Sequence, residues 1–436
     1  MPSADRGTTR RWRASSAGSR WRTGHQLLQS GASSLLPRRP ATPGNHRGLL
    51  PRGLSSAINP EIGCPTFGGH FRDPDLALSI DWGPVRLLRN DRGRFTEVTS
   101  QVGLGEQVGR WNGVSAGDFD GNGRPDLVAI SWGDNTEYRP TAEAPLELHF
   151  GDVDLNGTFD LIEAQRDERL GAAAPLASLG RLAEHIPPVA ERMPTRLLYA
   201  EADLEEVLGS RPEGRLEATE LRHMLFLNRG DRFEAAPLPR EAQRAPSLGL
   251  LVVDANGDGR EDLFLSQNFY ATDEDTPRYD AGRGLWLEGE GNGGFRPVPG
   301  QESGVAAYGD QRGAAAADVD SDGRLDFVLG MNGGAARLFR GAGNSPGLRV
   351  RVAGTAENRY GIGAVLRVVD ANGMGPAREV RAGSGTGSHD DPVQILGLSA
   401  DPVAIEVQWP GGVVERVEIP PGAREVTAGP PGGRNR

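Results

Sequence analysis

The sequence Asp118-Phe119-Asp120-Gly121-Asn122-Gly123-Arg124-Pro125-Asp126 occurs, with small changes, four times in this chain of 436 residues. The other copies lie at 152–160, 254–262 and 318–326. All four follow the pattern Asp-x-Asp/Asn-x-Asp/Asn-Gly-x-x-Asp, and an apolar run comes directly after each of them. Such regular repetition indicates one structural unit that is built several times.

The residue types in this pattern predict a calcium loop. Ca²⁺ takes six to eight oxygen ligands, and side chains at positions 1, 3, 5 and 9 supply them together with the carbonyl of position 7. Glycine at position 6 permits the sharp turn, because it adopts positive φ without steric cost. A single copy would be read as a solvated polar turn. Four copies with the same offsets favour up to four structural Ca²⁺ sites. The predicted ligands are Asp118, Asp120, Asn122, Arg124 and Asp126; Asp152, Asp154, Asn156, Thr158 and Asp160; Asp254, Asn256, Asp258, Arg260 and Asp262; and Asp318, Asp320, Asp322, Arg324 and Asp326.

These loops are not EF-hands, which need a glutamate at position 12 and a helix on each side. Only the second copy has that glutamate, Glu163. The runs after the loops, such as 127–130 and 263–265, are short and apolar, as buried strands are. The loops therefore predict an all-β architecture.

The spacing of the repeats predicts a β-propeller over residues 61–345. The position-9 aspartates recur after 51, 34, 102 and 64 residues, beginning with Asp75, whose upstream ligands are missing apart from Asp73. A strand-turn-strand phrase such as 225–233 lies between them. Units of this length built from short strands are typical of propeller blades. About five blades are recognisable, of which the one after the 34-residue step looks eroded, and this count admits an incomplete ring.

The 102-residue step contains a predicted helical insertion at 166–223. Apolar residues recur at helical spacing within 176–186 and 201–208, and Gly209 is placed to end the second helix. We favour a packing role for this insertion. The alternative is a lid or a partner-binding surface.

Residues 1–60 differ in composition from the rest, with ten arginines and one acid, Asp5. Three interpretations compete: a transit-like segment, a degraded twin-arginine signal at 9–12 without the apolar stretch that should follow it, and a disordered or non-native extension. We favour the last.

Composition limits the class of partner. The net charge of −11 argues against nucleic acid. Cys64 is the single cysteine, so no intramolecular disulfide forms. No apolar stretch approaches the roughly 20 residues that a membrane span needs.

The loops, their strands and the Leu225-to-Phe233 phrase resemble FG-GAP/VCBS repeats, the calcium-binding blades also found in integrin α-subunit heads. The resemblance covers about residues 70–345. It implies a seven-bladed propeller in an extracytoplasmic protein, secreted or periplasmic, although no convincing signal peptide precedes it.

Residues 347–428 form a separate predicted β-domain, followed by a tail at 429–436. The phrases 358–364, 378–385 and 407–412 resemble the ASPIC/UnbV domain, which commonly follows FG-GAP repeats in bacterial proteins and in cartilage acidic protein. The chain departs from that family after Gly385, where Thr386 to Asp391 replaces the expected stretch.

No catalytic motif is found, so we expect a calcium-binding interaction or adhesion protein with a protein or glycan partner, not an enzyme. The alternative is an enzyme that processes a carbohydrate or lipid headgroup on the propeller. His389 with Asp390 and Asp391 forms either a small acid/base or metal cluster or a polar turn, and we favour the turn.

Overall fold

The structure, a computed structural model, describes residues 13–15 and 74–429, apart from 273, 275, 343–345, 382–387 and 399. The predicted all-β class is confirmed, because strands make up 40% of the structure and helices 10%, and most of the strands pair in antiparallel sheets. The prediction for residues 1–60 lies outside the described residues except at 13–15, where the backbone forms strand β1 (Arg13–Ser15). Cys64 and Asp73 also lie outside them.

The first sheet has three strands, and one strand of a separate pair lies between its first two strands along the chain. In spatial order the sheet contains β2 (Leu76–Leu78), β4 (Arg86–Asp91) and β5 (Arg94–Glu97), and the pair contains β3 (Asp81–Pro84) and β6 (Val108–Arg110).

Three four-stranded antiparallel sheets share one order, in which each strand pairs with the next of its own sheet along the chain, apart from β1 at the edge of the third sheet. The first contains β7 (Gly113–Gly117), β8 (Asp126–Ile130), β13 (Met224–Asn228) and β14 (Phe233–Pro237). The second contains β15 (Ser247–Val253), β16 (Asp262–Gln267), β17 (Leu285–Gly289) and β18 (Phe295–Val298). The third contains β19 (Gln311–Ala317), β20 (Asp326–Met331) and β21 (Arg337–Arg340), with β1 paired to β21 at its edge.

Successive sheets pack face to face in chain order, as propeller blades do. Alternate side chains of one strand enter different cores. Leu127 packs towards the first sheet, whereas Val128 packs towards the sheet that begins with β15. Phe264 and Phe327, whose ring centroids are 4.8 Å apart, lie in the core between the last two sheets. The strand alternation thus builds three separate cores between four sheets.

The segment between β8 and β13 is an insertion that includes the second loop. Its sheet contains, in spatial order, β11 (Ala172–Pro175), β10 (Asp160–Asp167), β9 (Leu146–Gly151) and β12 (Gly214–Ala218). The interpretation of the 34-residue step as an eroded blade is therefore corrected: the sheet that follows Asp160 is built within one blade, between its second and third strands. The loop pattern alone does not show which strands join the same sheet, because strand pairing brings together residues that are far apart in sequence.

Four short helices cover the inserted sheet. They are α1 (Leu179–His185), α2 (Pro188–Arg192), α3 (Arg196–Glu201) and α4 (Leu204–Leu208). Gly209 ends α4 at a φ of 67°, in the left-handed conformation that the sequence predicts for it. Outside the insertion, one-turn helices lie at α5 (Gly300–Ser303) and in the 3₁₀ turns Leu104–Glu106 and Ala242–Arg244.

The C-terminal domain has two sheets around one core that includes Leu348, Leu366 and Trp409. One sheet contains β26 (Val393–Leu396), β22 (Leu348–Val352) and β29 (Glu425–Ala428), with β22 and β29 parallel. The other contains β24 (Gly373–Met374), β23 (Val365–Asp370), β27 (Ala404–Gln408) and β28 (Val414–Glu418), with β25 (Arg378–Glu379) also paired to β23.

Candidate metal centres

All twenty predicted ligands lie in four loops of the same construction. Each loop connects two antiparallel strands: β7 to β8, β9 to β10, β15 to β16, and β19 to β20. The backbone has positive φ at positions 4 and 6 in every copy, including Leu155 and Ser321, where the residue is not glycine. The shared sequence pattern therefore gives one shared backbone conformation.

The position-1 aspartate holds the turn closed. Its Oδ2 accepts a hydrogen bond from the backbone amide of the position-6 glycine. The N–O distance is 2.9 Å from Gly123 to Asp118 and 2.9 to 3.0 Å in the other three loops. The position-5 side chain accepts the position-7 amide in the same way, as Asn122 does from Arg124 at 2.8 Å. These bonds direct the acidic side chains towards the inside of the loop.

The position-9 aspartate joins the loop to its sheet. Its Oδ2 accepts the position-2 amide in all four copies, as Asp126 does from Phe119 at 2.9 Å. The first, third and fourth loops, which we name the blade loops, share a further bond. In each of them Oδ1 of the position-9 aspartate accepts a hydrogen bond from a backbone amide at the end of the next strand of the sheet, as Asp126 does from Asn228 at 2.7 Å. Asp75 makes the equivalent bond to Asn90 at 2.7 Å. This carboxylate thus has a structural role even where the rest of the loop pattern is missing.

Three loops bring three carboxylates together. Oxygen atoms from positions 1, 3 and 9 lie within 4.8 Å of one another in the first, second and fourth loops. In the third loop position 3 is Asn256, so an amide replaces one carboxylate. Asp322 is not part of the fourth group, and its carboxylate instead accepts the amide of Arg324 at 2.8 Å and its guanidinium at 2.6 Å. The remaining predicted ligands stay predictions.

Two oxygen atoms in these loops are buried without a hydrogen-bond partner among the described residues. They are Oδ1 of Asp118 and Oδ1 of Asp152. A buried acceptor without a partner costs about 1–3 kcal/mol, and more when it is charged. Asp118 is 2% exposed, so water reaches it poorly. A bound cation would satisfy both the charge and the open acceptor, and the oxygen-only donor set fits a hard cation such as Ca²⁺.

Burial raises the pKa of the position-9 aspartates in all four loops. The pKa rises to about 7 for Asp126 and well above its usual range for Asp262, with neighbouring carboxylates adding to the effect. The same direction holds for Asp160 and Asp326. At position 1, burial raises the pKa of Asp254 to about 6. Grouped, desolvated carboxylates favour protonation unless a positive charge joins them.

Two family models match the chain. Residues 72–129 match the model described as FG-GAP-like repeat, a range that covers the first sheet and the first complete loop. Residues 354–435 match the model described as ASPIC and UnbV. The chain carries an FG-GAP-like repeat and an ASPIC/UnbV domain. Both resemblances drawn from the sequence are confirmed. A search of curated proteins finds no match.

The two matched regions suggest a protein of the extracellular interaction type. FG-GAP repeats typically occur in extracellular proteins. Within the described residues, no helix is both long and apolar enough to span a membrane.

The ASPIC/UnbV domain, whose core also contains β22, contacts the three blade loops. The amide of Ala377 donates to Oδ2 of Asp118 at 2.9 Å. Arg349 forms an ion pair with Asp318, and the amide of Gly347 donates to the carbonyl of Gly323 at 2.8 Å. These contacts place the domain over the loop ends of the blades.

The third loop makes the most buried of these contacts. Nε and Nη2 of Arg378 donate to the two carboxylate oxygens of Glu261, at 2.9 and 3.0 Å, and the side chains are 9% and 2% exposed. Glu261 stands at position 8, where the other loops have Pro125, Phe159 and Leu325. A charge at an otherwise apolar position is the sequence signal for this contact, which was not among the predicted sites.

The second loop lies apart from this arrangement, on the inserted sheet. Among the described residues, no hydrogen bond or ion pair joins it to the ASPIC/UnbV domain. Its tip exposes Leu155 at 87% and Phe159 at 52%. The four copies thus share a conformation but differ in surroundings.

His389, Asp390 and Asp391 belong to the same domain contact. Oδ1 of Asp390 accepts the amide of Ala316 at 2.7 Å, and the amide of Asp391 donates to the carbonyl of Ala316 at 2.9 Å. His389 bonds to the carbonyl of Asp390 at 2.8 Å. These interactions dock a polar turn onto β19.

Proposed function

We propose that the protein is a calcium-binding interaction protein that acts outside the cytoplasm. In this proposal Ca²⁺ stabilises the blades and their contact with the ASPIC/UnbV domain, and the assembled surface binds a protein or glycan. The observation that carries the proposal is the buried, unpartnered Oδ1 of Asp118. This aspartate belongs to a group of three carboxylates in a loop whose hydrogen bonds recur in all four copies.

A structural role for the cation fits the loop better than a sensing role. The backbone of each loop is already fixed by the bonds at positions 1, 5 and 9. A sensor needs an element with two alternative arrangements. A cation that enters a preformed turn would chiefly remove repulsion between the carboxylates, and so would add to the stability of the folded state.

A location outside the cytoplasm suits loops of this kind. Extracellular calcium modules bind with dissociation constants of about 10⁻⁴ to 10⁻³ M, which millimolar calcium fills. The FG-GAP-like repeat supports the same location.

We propose binding and not catalysis, because the carboxylate oxygens of the first loop either accept hydrogen bonds or, like the unpartnered Oδ1 of Asp118, are buried away from any substrate. Both carboxylate oxygens of Asp126, for example, accept hydrogen bonds from backbone amides, those of Phe119 and Asn228. A general acid or base needs an oxygen that is free to reach a substrate proton.

The proposal is tested by calcium titration of the full chain in a calorimeter. We compare the unmodified protein with Asp118→Asn, which keeps the size and the loop hydrogen bonds, and with Asp231→Asn, an exposed aspartate outside the loops. We expect Asp118→Asn to lose one binding event and Asp231→Asn to keep all of them. Absence of calcium binding to the unmodified protein would contradict the proposal.

A further inference from the structure

Among the residues that the structure describes, no hydrogen bond or ion pair joins the ASPIC/UnbV domain to the end of the blades opposite the aspartate loops. A cavity of about 360 Å³ opens there, at the far ends of β16, β17 and β18. Strand β16 begins at Asp262 in the third loop and ends at Gln267, which lines the cavity. The cavity and the loops therefore lie at opposite ends of the same sheet.

The charges around this cavity differ in sign from the protein as a whole. Two basic residues, Arg244 and Arg283, and one acidic residue, Glu241, line it. Neither arginine forms an ion pair with any residue that the structure describes, although the chain carries a net charge of −11. Unpaired guanidinium groups are suited to bind a planar carboxylate through two parallel hydrogen bonds.

An aromatic ring and a fixed amide stand beside these arginines. Tyr308 is 61% exposed, and the guanidinium carbon of Arg283 lies 5.1 Å from the centre of its ring. Gln267 is 3% exposed, and its side-chain carbonyl accepts the amide of Arg283 at 3.2 Å. An exposed tyrosine presents both an apolar face and a hydroxyl, and an amide side chain both donates and accepts hydrogen bonds.

We propose that this cavity binds a carboxylate-bearing sugar, with Arg283 and Arg244 on the carboxylate, Tyr308 against the C–H face of the ring, and Gln267 on a hydroxyl. The volume lies at the lower end of the range for small-molecule sites, about 300–1,000 Å³, and so suits one sugar unit. The proposal rests on the binding role proposed above, and it names a class of glycan for that role. It does not require that the loops hold calcium.

Nuclear magnetic resonance titration of the full chain with D-glucuronate and D-galacturonate tests this proposal. Glucose serves as the neutral sugar and acetate as the bare carboxylate. We expect at least one uronate to bind, at least tenfold more tightly than glucose or acetate. Both Arg283→Gln and Tyr308→Ala should weaken that binding by at least tenfold. Arg240→Gln, an exposed arginine on the linker before β15 that does not line the cavity, should leave it unchanged.

Three results would overturn the proposal: no uronate binding, equal binding of glucose or acetate, or uronate binding that Arg283→Gln leaves intact. Repeating the titration in EDTA and in calcium separates this proposal from the calcium proposal. Uronate binding with no calcium binding refutes only the calcium proposal, and calcium binding with no uronate binding refutes only this one.

Discussion

The backbone amide of Ala377 donates a hydrogen bond to Oδ2 of Asp118 at 2.9 Å, so a residue of the ASPIC/UnbV domain contacts the first ligand position of a blade loop. The same oxygen accepts the amide of Gly123 at 2.9 Å, and the other oxygen of this carboxylate has no hydrogen-bond partner among the described residues. One side chain therefore connects the turn, the domain contact and the proposed cation. The stability of the loops and the docking of the domain should be coupled.

The buried pair of Arg378 and Glu261 should behave as a unit. Removing one partner of a buried ion pair leaves an uncompensated charge and costs about 3–5 kcal/mol. We therefore expect Glu261→Leu and Arg378→Leu each to lower the free energy of unfolding by about that amount, measured in urea. The double variant should recover most of the loss, since replacement of both partners by apolar residues is often nearly neutral. Additive losses in the double variant would show that the two charges are independent.

Arg349 should compete with a cation in the fourth loop. Its guanidinium pairs with Asp318, at the first ligand position, and also with Glu425 at 3.1 Å. We expect Arg349→Gln to raise the calcium affinity of this loop about tenfold. The variant removes the repulsion between the guanidinium and the bound cation, and about 1.4 kcal/mol of repulsion corresponds to a factor of ten. Calorimetry in an Asp118→Asn background removes the first loop from the signal. A fall in affinity would instead mean that Arg349 orders the loop for its ligand.

Gly397 should be required for docking of the ASPIC/UnbV domain on the third loop. A Cβ atom there would overlap Oδ2 of Asp254 and lie 2.5 Å from the carbonyl carbon of Gly257. We expect Gly397→Ala to destabilise the protein by about 1–3 kcal/mol, the usual cost of overpacking, in urea denaturation. Gly180→Ala is the control, because a Cβ at Gly180 meets nothing within 4 Å and the change favours helix α1. Equal stability of both variants would contradict the close approach.

The carboxyl group of Glu379 should make stability depend on pH. Burial raises its pKa from 4.5 to about 8, an effect that Arg381 opposes, and its Oε2 has no hydrogen-bond partner in the described residues. Because the folded pKa is the higher one, its contribution to stability is complete below about pH 4.5 and is lost as the pH rises to about 8. We expect Glu379→Gln to be more stable than the unmodified protein at pH 8.5, and this advantage to shrink towards pH 4.5. Urea denaturation in EDTA at several pH values measures the difference, and a constant difference would contradict the assignment.

The sequence predicted the local units well, because short-range patterns determine them. A strand begins at the position-9 aspartate of every full loop, at Asp126, Asp160, Asp262 and Asp326. Gly209 ends α4 as expected, whereas α2 and α3 were missed, since helices of five and six residues show little periodicity. The long-range arrangement was not predictable. Nothing local to Arg349 or Arg378 indicates that each would meet a blade loop, and the placement of the second loop on an inserted sheet depends on the pairing of β9 with β12.

The most direct test of the central claim is a thermal melt of the full chain in EDTA, in millimolar Ca²⁺ and in millimolar Mg²⁺. A ligand that binds only the folded state raises the stability of that state, by about 1.4 kcal/mol per site at ten times the dissociation constant. We predict that calcium raises the melting temperature by about 5 °C or more. Magnesium should have little effect, since it demands a tighter octahedral shell. Identical melting temperatures in EDTA and calcium would contradict the account, and the four loops would then be hydrogen-bonded polar turns.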